Sequence, residues 1–217
     1  MDEKRRNLGV LAAGIILLVI LADQALKIWV KTHFYLGEEV RITEWFRLLF
    51  IQNNGMAFGM ELGSKIFLTL FRVVAVTFLC FYIARCLRYL PRLRTGYIVC
   101  LALVTAGAAG NIFDCLFYGL IFNNPMPPEV AQIFPVSGGY APFMQGQVVD
   151  MLYFPLVSFD WPMWMPWVGG EHFLFFQPIF NLADAAISVG MLAILFFYAR
   201  HLVWPVKPIA DVDSEQK

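Results

Sequence analysis

Asp184 lies in Phe180-Asn181-Leu182-Ala183-Asp184, inside an apolar run from Phe173 to Ala199 that holds no other charged residue. In a hydrocarbon layer such an acid costs roughly 2.5–3.5 kcal/mol on insertion scales unless a partner or water meets it. An aspartate there is read first as a functional group, and its chemistry depends on what it works with. Most nucleophile arrangements are missing. No G-x-S-x-G turn occurs, and Ser188 has no histidine near it. His33 and His172 fall at the edges of apolar segments, and His201 falls at the far end of one. No H-E-x-x-H is present, which disfavours a zinc protease. The Cys115 thiol abuts Asp114 rather than a base, so an activated thiolate is not expected. Carboxylates remain. Asp150, in Gln147-Val148-Val149-Asp150, is the loop acid with apolar residues on both sides. Two aspartates facing one another in a place of low dielectric do not both ionise, so one holds a proton while the other acts as a base. Such a pair activates water and protonates a leaving amine, which is peptide hydrolysis without metal or covalent intermediate. The same pair also suits proton transfer in a small transporter, and spacing alone does not separate the two.

The elements that must position these groups are membrane spans. Of 217 residues 59% are hydrophobic and only 15% charged, where a soluble domain carries about 25% charged. The apolar residues come in long blocks, and a span needs about 20 of them. The blocks predict spans at about 8–30, 65–85, 95–118 and 172–200, forming a single integral membrane domain. The fold class expected is an all-α membrane protein. The basic start (Lys4, Arg5, Arg6) ahead of Leu8 resembles a secretory signal. Leu21-Ala22-Asp23 is a poor cleavage site, however, so the segment is read as a retained span. A net charge of zero gives no reason to expect a nucleic-acid partner. Cys80, Cys86, Cys100 and Cys115 form no C-x-x-C pair and read as packing residues.

Basic flanks set the expected orientation. Lys4, Arg5 and Arg6 precede the first span, Arg85, Arg88, Arg92 and Arg94 separate the second from the third, and Arg200, His201 and Lys207 follow the fourth. The positive-inside rule places all three flanks, both termini and the tail 201–217 in the cytoplasm, with loops 31–64 and 119–171 outside. Val40–Ile51 is rich in β-branched and aromatic residues and predicts a short sheet. Residues 123–146 read as irregular loop. The segment with Trp161, Trp164 and Trp167 suits either a Pro-rich loop packed on the outer face or a flap in the headgroup layer. At about 1.5 Å of rise per residue, Asp23 and Arg72 each lie ~10 Å inside their spans. Asn111, Asp114, Asn181 and Asp184 fall in the same band toward the outer leaflet. A common layer implies one polar centre. A packing network alone, at about 0.6 kcal/mol per hydrogen bond, would account for asparagines better than for several carboxylates.

Five segments, in order, resemble the lipoprotein signal peptidases, also called type II signal peptidases. They are Asp23-Gln24-x-x-Lys27, Asn53-Asn54-Gly55-Met56-Ala57-Phe58-Gly59, Gly107–Asp114 (GAAGNIFD), Val148-Val149-Asp150 and Phe180–Asp184 (FNLAD). The resemblance implies an aspartic endopeptidase of the bacterial inner membrane without metal or cofactor; a monomer is expected, although no sequence feature determines oligomeric state. It would remove the signal peptide from a diacylglyceryl-modified prolipoprotein, before the lipidated cysteine, among membrane lipids. It maps Asp150 and Asp184 onto the catalytic pair. It maps Asp23, Lys27, Asn54, Gly55, Asn111, Asp114 and Asn181 onto positions that support the site or contact substrate. It also implies a small β-rich cradle in the first outer loop, and an extended outer loop lies between spans three and four. Cys115 stands where the family usually has arginine, Ala106 where it has glycine, and both segments between Asp114, Asp150 and Asp184 are longer than usual. Arg72, at matching depth in span two, is expected to supply the missing cation, to pair with Asp23 or Asp114, or to snorkel outward. The residues alone leave a proton-coupled transporter and a non-catalytic lipid-binding assembly open.

Overall fold

The computed structural model describes residues 3–54, 65–90, 93–175 and 177–204. Gly55 and the rest of its motif, 56–59, lie outside the described residues. Within the described residues four helices are long and apolar enough to cross a membrane. They are α1 (Glu3–His33), α2 (Lys65–Tyr89), a third spanning Thr95–Ile121 and a fourth spanning Leu182–His201. The third consists of α3 (Thr95–Phe113), a π-helical turn at Asp114–Tyr118 and α4 (Gly119–Ile121). The fourth consists of α5 (Leu182–Ala193), a second π-helical turn at Ile194–Tyr198 and a 3-10 turn at Ala199–His201.

The third helix is the inner one. Its most apolar stretch is 61% buried, against 22%, 11% and 22% for the others, and α1, α2 and α5 all pack on α3. Its buried face includes the small residues Ala102, Ala106, Gly107 and Gly110. Lipid tails are as apolar as leucine, so helices there associate by close packing of small residues rather than by exclusion of water. Gly107 shows why size matters, because a Cβ would run into the backbone oxygen of Ala183. At Gly110 it would come 2.9 Å from Asp23 Oδ2. Leu17 and Leu18 of α1 and Phe67 and Phe71 of α2 are exposed, the ordinary state of a lipid-facing side chain.

The connections are stitched into one antiparallel sheet of order β1–β2–β3–β6. β1 (Glu39–Arg41) and β2 (Arg47–Asn53) come from the α1–α2 connection. β3 (Val148–Tyr153) and β6 (Ile179–Phe180) come from the α4–α5 connection. Side chains alternate across a strand. One face of β3 therefore sends Val149 and Met151 into a cluster with Phe50 of β2 and with Val30, Phe34, Tyr118 and Phe122 near the ends of the first and third helices. Asp150 belongs to the other face. Between β3 and β6, strands β4 (Val157–Asp160) and β5 (His172–Phe175) pair as a separate ribbon. This ribbon carries the tryptophan segment: Trp161 packs on Phe159 and Phe173, and Trp164 and Trp167 are exposed.

The expected strand region Val40–Ile51 contains most of β1 and most of β2, joined by a turn. Residues 123–146 are irregular apart from bridges at Val130 and Ile133. The fourth span departs from expectation: its helix starts at Leu182, not near His172, and residues 172–175 and 179–180 are strands. A continuous apolar run has no period to distinguish helix from buried strand. Here the aromatic run suits a pleated surface, Pro178 cannot continue a helix, and Asn181 supplies an N-cap. The other three helices run past the expected ends, to Glu3 and His33, to Tyr89 and to Ile121.

Candidate active site

Lys27 is the hub of the site. It lies one helical turn from Asp23 in α1, so both side chains share a face, and both are buried. Its ammonium contacts Asp23 Oδ2 at 2.8 Å, Asp114 Oδ2 at 2.8 Å and Asn111 Oδ1 at 2.7 Å. An ammonium has three N–H donors and no acceptor, so these three oxygens saturate it. A buried ion pair is tolerable when every remaining lone pair is also met. Gln24 donates to Asp114 Oδ1 at 2.8 Å and to Asp23 Oδ2 at 3.3 Å. The Tyr118 hydroxyl donates to Gln24 Oε1 at 3.0 Å. The remaining carboxylate bonds reach other elements. Asp23 Oδ1 accepts from the Ala183 N–H in the first turn of α5 at 2.9 Å. Asp114 Oδ2 accepts from the Val149 N–H of β3 at 3.3 Å. One buried cluster thus fastens α5 and β3 to the helix pair α1–α3. Asp114 also opens the π-helical turn, a geometry frequent at functional sites.

From this hub the hydrogen bonds run outward to Asp150 and Asp184. Because Lys27 only donates, Asn111 must turn its carbonyl oxygen to the ammonium, which leaves its amide nitrogen pointing away. That nitrogen donates to Asp184 Oδ1 at 2.8 Å. Asn181 is oriented by the same logic. Its Oδ1 accepts from the Asp184 N–H at 2.9 Å as the N-cap of α5, so its amide nitrogen faces the other way. There it donates to Asp150 Oδ1 at 2.6 Å and to Asn111 Oδ1 at 3.1 Å. Asp184 Oδ2 completes the capping box by accepting from the Asn181 N–H at 3.4 Å. Asp184 therefore stands in the first turn of a helix, half-buried and bonded on both oxygens. It is not an isolated charge in mid-span, and its burial costs correspondingly less.

Asp150 is 2% exposed. A shift in register between Leu48 and Ile51 sets an extra residue of β2 against β3 and brings Ile51 opposite Asp150. Such bulges re-aim side chains beside active sites. The next same-face neighbour, Asn53, donates to Asp150 Oδ2 at 3.3 Å. Burial lifts the Asp150 carboxyl from 3.8 to about 7, and the charge of Asp184 adds to the rise. The hydrogen bonds from Asn53 and Asn181 and the charge of Lys27 act in the opposite direction. Asp150 is thus an acid that exchanges its proton near neutrality, electrostatically coupled to a second acid.

Of the residues singled out from sequence, Asp23, Lys27, Asn111, Asp114, Asp150, Asn181 and Asp184 come together in this network. Asn54 sits at its edge, exposed, where its Oδ1 accepts from Lys65 at 3.2 Å and Gln147 at 3.0 Å. Arg72 reaches Cys115, its Nη1 donating to Sγ at 3.5 Å, while Asp23 and Asp114 take Lys27 as their cation. Sequence reasoning missed Asn53, Gln24 and Tyr118. The first two stand beside site residues in their motifs, but a neighbour in sequence need not share a face. Tyr118 carried no signal. Lys31 was also missed: one turn past Lys27 and 1% exposed, its ammonium lies 5.3–5.5 Å from the ring centres of Phe50, Phe122 and Tyr140.

Comparison with known proteins gives consistent results. The family described as signal peptidase (SPase) II matches residues 15–200. A lipoprotein signal peptidase of Porphyromonas gingivalis is 47% identical over 193 residues, covering 88% of this chain and 84% of the relative. One of Amoebophilus asiaticus is 37% identical over 203 residues, covering 89% and 80%. Among solved structures, one described as a bacterial membrane enzyme superposes with a TM-score of 0.56 at 20% identity, covering 85% of this chain and 89% of that one. At that identity the likeness concerns the fold alone.

Proposed function

The chain belongs to the signal peptidase II family, and we propose that it is an aspartic endopeptidase that removes the signal peptide from diacylglyceryl-modified prolipoproteins, cutting before the lipidated cysteine. The observation that carries the reading is the hydrogen-bond chain joining the two carboxylates, Asp184 through the Asn111 amide and Asp150 through the Asn181 amide, with the Asp150 carboxyl raised to about 7. One proton is then shared by the pair near neutral pH, as a single coupled unit. The surroundings of Asp150 favour holding it there. Asp184 takes a proton from a water between the acids, and the water attacks the scissile carbonyl as its oxygen takes the proton held by Asp150, giving a gem-diol. On collapse a gem-diol hydroxyl returns a proton to Asp150, and Asp184 gives the water's proton to the departing amine. Asn111 and Asn181 hold the two carboxylates in place, and Lys27 orients Asn111. Arg72 brings a cation to Cys115 and supports the same end of α3. Asn54 belongs to the substrate-facing rim, and Gly55 is assigned to substrate contact by its place in the sequence motif alone.

The protein acts as a monomer in the bacterial inner membrane, as a single integral domain among membrane lipids. Its termini are cytoplasmic, its sheet forms an outer cradle and its acids lie toward the outer leaflet. The basic flanks of the spans support this orientation. A proton-coupled transporter would need acids continuing to the opposite face. Among the described residues the buried charged groups are Asp23, Lys27, Lys31, Asp114 and Asp150, all at the sheet end. The test is purified protein with a lipidated model prolipoprotein, with and without a metal chelator. A shortened product should form equally in both. Asp150→Asn and Asp184→Asn should each abolish it while the protein stays folded, and cleavage retained by either variant would falsify the dyad.

A further inference from the structure

The end of the bundle remote from the acids carries a second cluster that proteolysis does not use. α3 and the fourth helix run antiparallel, so the start of one meets the end of the other. The Tyr97 and Tyr198 rings lie 6.0 Å apart there. Beside them a cavity of about 420 Å³ is lined by Arg94, Phe196, Phe197, Ala199, Arg200 and His201. Every ionisable side chain in that lining is basic. Among the described residues, neither the Arg94 nor the Arg200 guanidinium has a hydrogen-bond or ion-pair partner, and Nδ1 of His201 is buried without one. This contrasts with Arg5, also on a basic flank, which donates to Leu87 O at 2.9 Å and Leu90 O at 3.1 Å. Phe196 and Phe197, in the last turns of a membrane-crossing helix, are 72% and 76% exposed.

The positive-inside rule accounts for basic residues near the ends of spans, but not for their convergence on one cavity. Converging cations repel one another unless an anion joins them. A guanidinium offers a planar fork that fits two phosphate oxygens. The adjoining phenyl rings offer apolar surface at the depth where acyl chains begin. We propose that this cavity is a binding site for the headgroup phosphate of an anionic phospholipid. Arg94 and Arg200 hold the phosphate, His201 contributes a third polar contact, and Phe196 and Phe197 lie against the acyl chains. Basic pockets at helix ends are a recognised way of holding such headgroups. The inference rests on the chain being embedded in a membrane and not on its catalytic chemistry.

The experiment uses the full-length protein, delipidated in neutral detergent, with phosphatidylglycerol, phosphatidylcholine or inorganic phosphate added. Bound lipid is counted by native mass spectrometry, and the thermal midpoint is followed alongside. Phosphatidylglycerol should bind and raise the midpoint, whereas phosphatidylcholine and phosphate at equal concentration should not. Losing both arginines in R94Q/R200Q should weaken phosphatidylglycerol binding by roughly thirtyfold, and R200Q alone by about fivefold. If the double variant folds poorly, the single variant decides by the same measure. Equal binding of phosphatidylcholine, an unchanged response in the variants, or full replacement of the lipid by inorganic phosphate overturns the proposal. Cleavage by R94Q/R200Q in detergent without anionic lipid should equal the parent's, so failure here and failure of the proteolytic reading are separately visible.

Discussion

Replacing Asp150 by asparagine should make the protein inactive and, above neutral pH, more stable. The Asp150 carboxyl is held at about 7 against 3.8 for a free aspartate. The folded chain therefore keeps a proton up to about pH 7 that the unfolded chain releases near pH 4. Where the native state binds more protons, stability falls as pH rises. Parent stability should thus fall between about pH 4 and 7 and level off above. At about 1.4 kcal/mol per pH unit, the ionised side chain costs the fold about 4 kcal/mol at pH 8. Asparagine has the same shape and no charge. It retains an acceptor for the 2.6 Å bond from Asn181, but its own amide then faces the amide of Asn53, losing the 3.3 Å bond. That loss costs about 1–2 kcal/mol. A net gain of about 2–3 kcal/mol remains at pH 8, or roughly 5–10 °C in a chain of this size. At pH 5, where the parent acid is protonated, the gain should vanish or reverse. The assay is the thermal midpoint of parent and variant in detergent at both pH values, with cleavage measured alongside. A midpoint difference that does not change between pH 5 and 8 refutes the argument, because Asp150 would then carry no ionisation cost.

Lys27→Met should leave the carboxylates of Asp23 and Asp114 buried without their cation, and breaking one side of such a cluster costs about 3–5 kcal/mol. Loss of folded yield in detergent is the readout. Gly107→Ala should cost more than Gly110→Ala, within the ~1–3 kcal/mol typical of overpacking, because one methyl meets the backbone of Ala183 and the other meets mainly the Asp23 carboxylate. Paired thermal midpoints give the order, and equal losses would contradict it. Arg72→Gln should lower kcat/KM by about tenfold, near 1.4 kcal/mol of transition-state stabilisation. Unchanged cleavage and unchanged folding would remove Arg72 from the supporting set.

Much of the site was legible because its residues are chemically out of place. An aspartate alone between Phe173 and Ala199, a lysine and an aspartate one turn apart in an apolar block, and an asparagine three residues before an aspartate in the third span all stand out against lipid-compatible neighbours. The start of the last helix was not legible, since residues 173–175 and 179–180 lie in a run as apolar as a span yet pair as strands. Its Asn181–Asp184 capping box marks the true boundary only once the chain has turned. Asn53 escaped notice because its contact with Asp150 depends on the register of β2 against β3, a pairing between residues 97 apart in sequence. What the chain determines by composition and spacing is local: which segments cross the membrane, and which acids lie among them. Which oxygen meets which donor was decided only by the tertiary structure. Lys27 turns Asn111, Asn181 turns between two aspartates, and a bulge aims Asp150. Each orientation is imposed by a group from a different element, and no one-dimensional pattern records that.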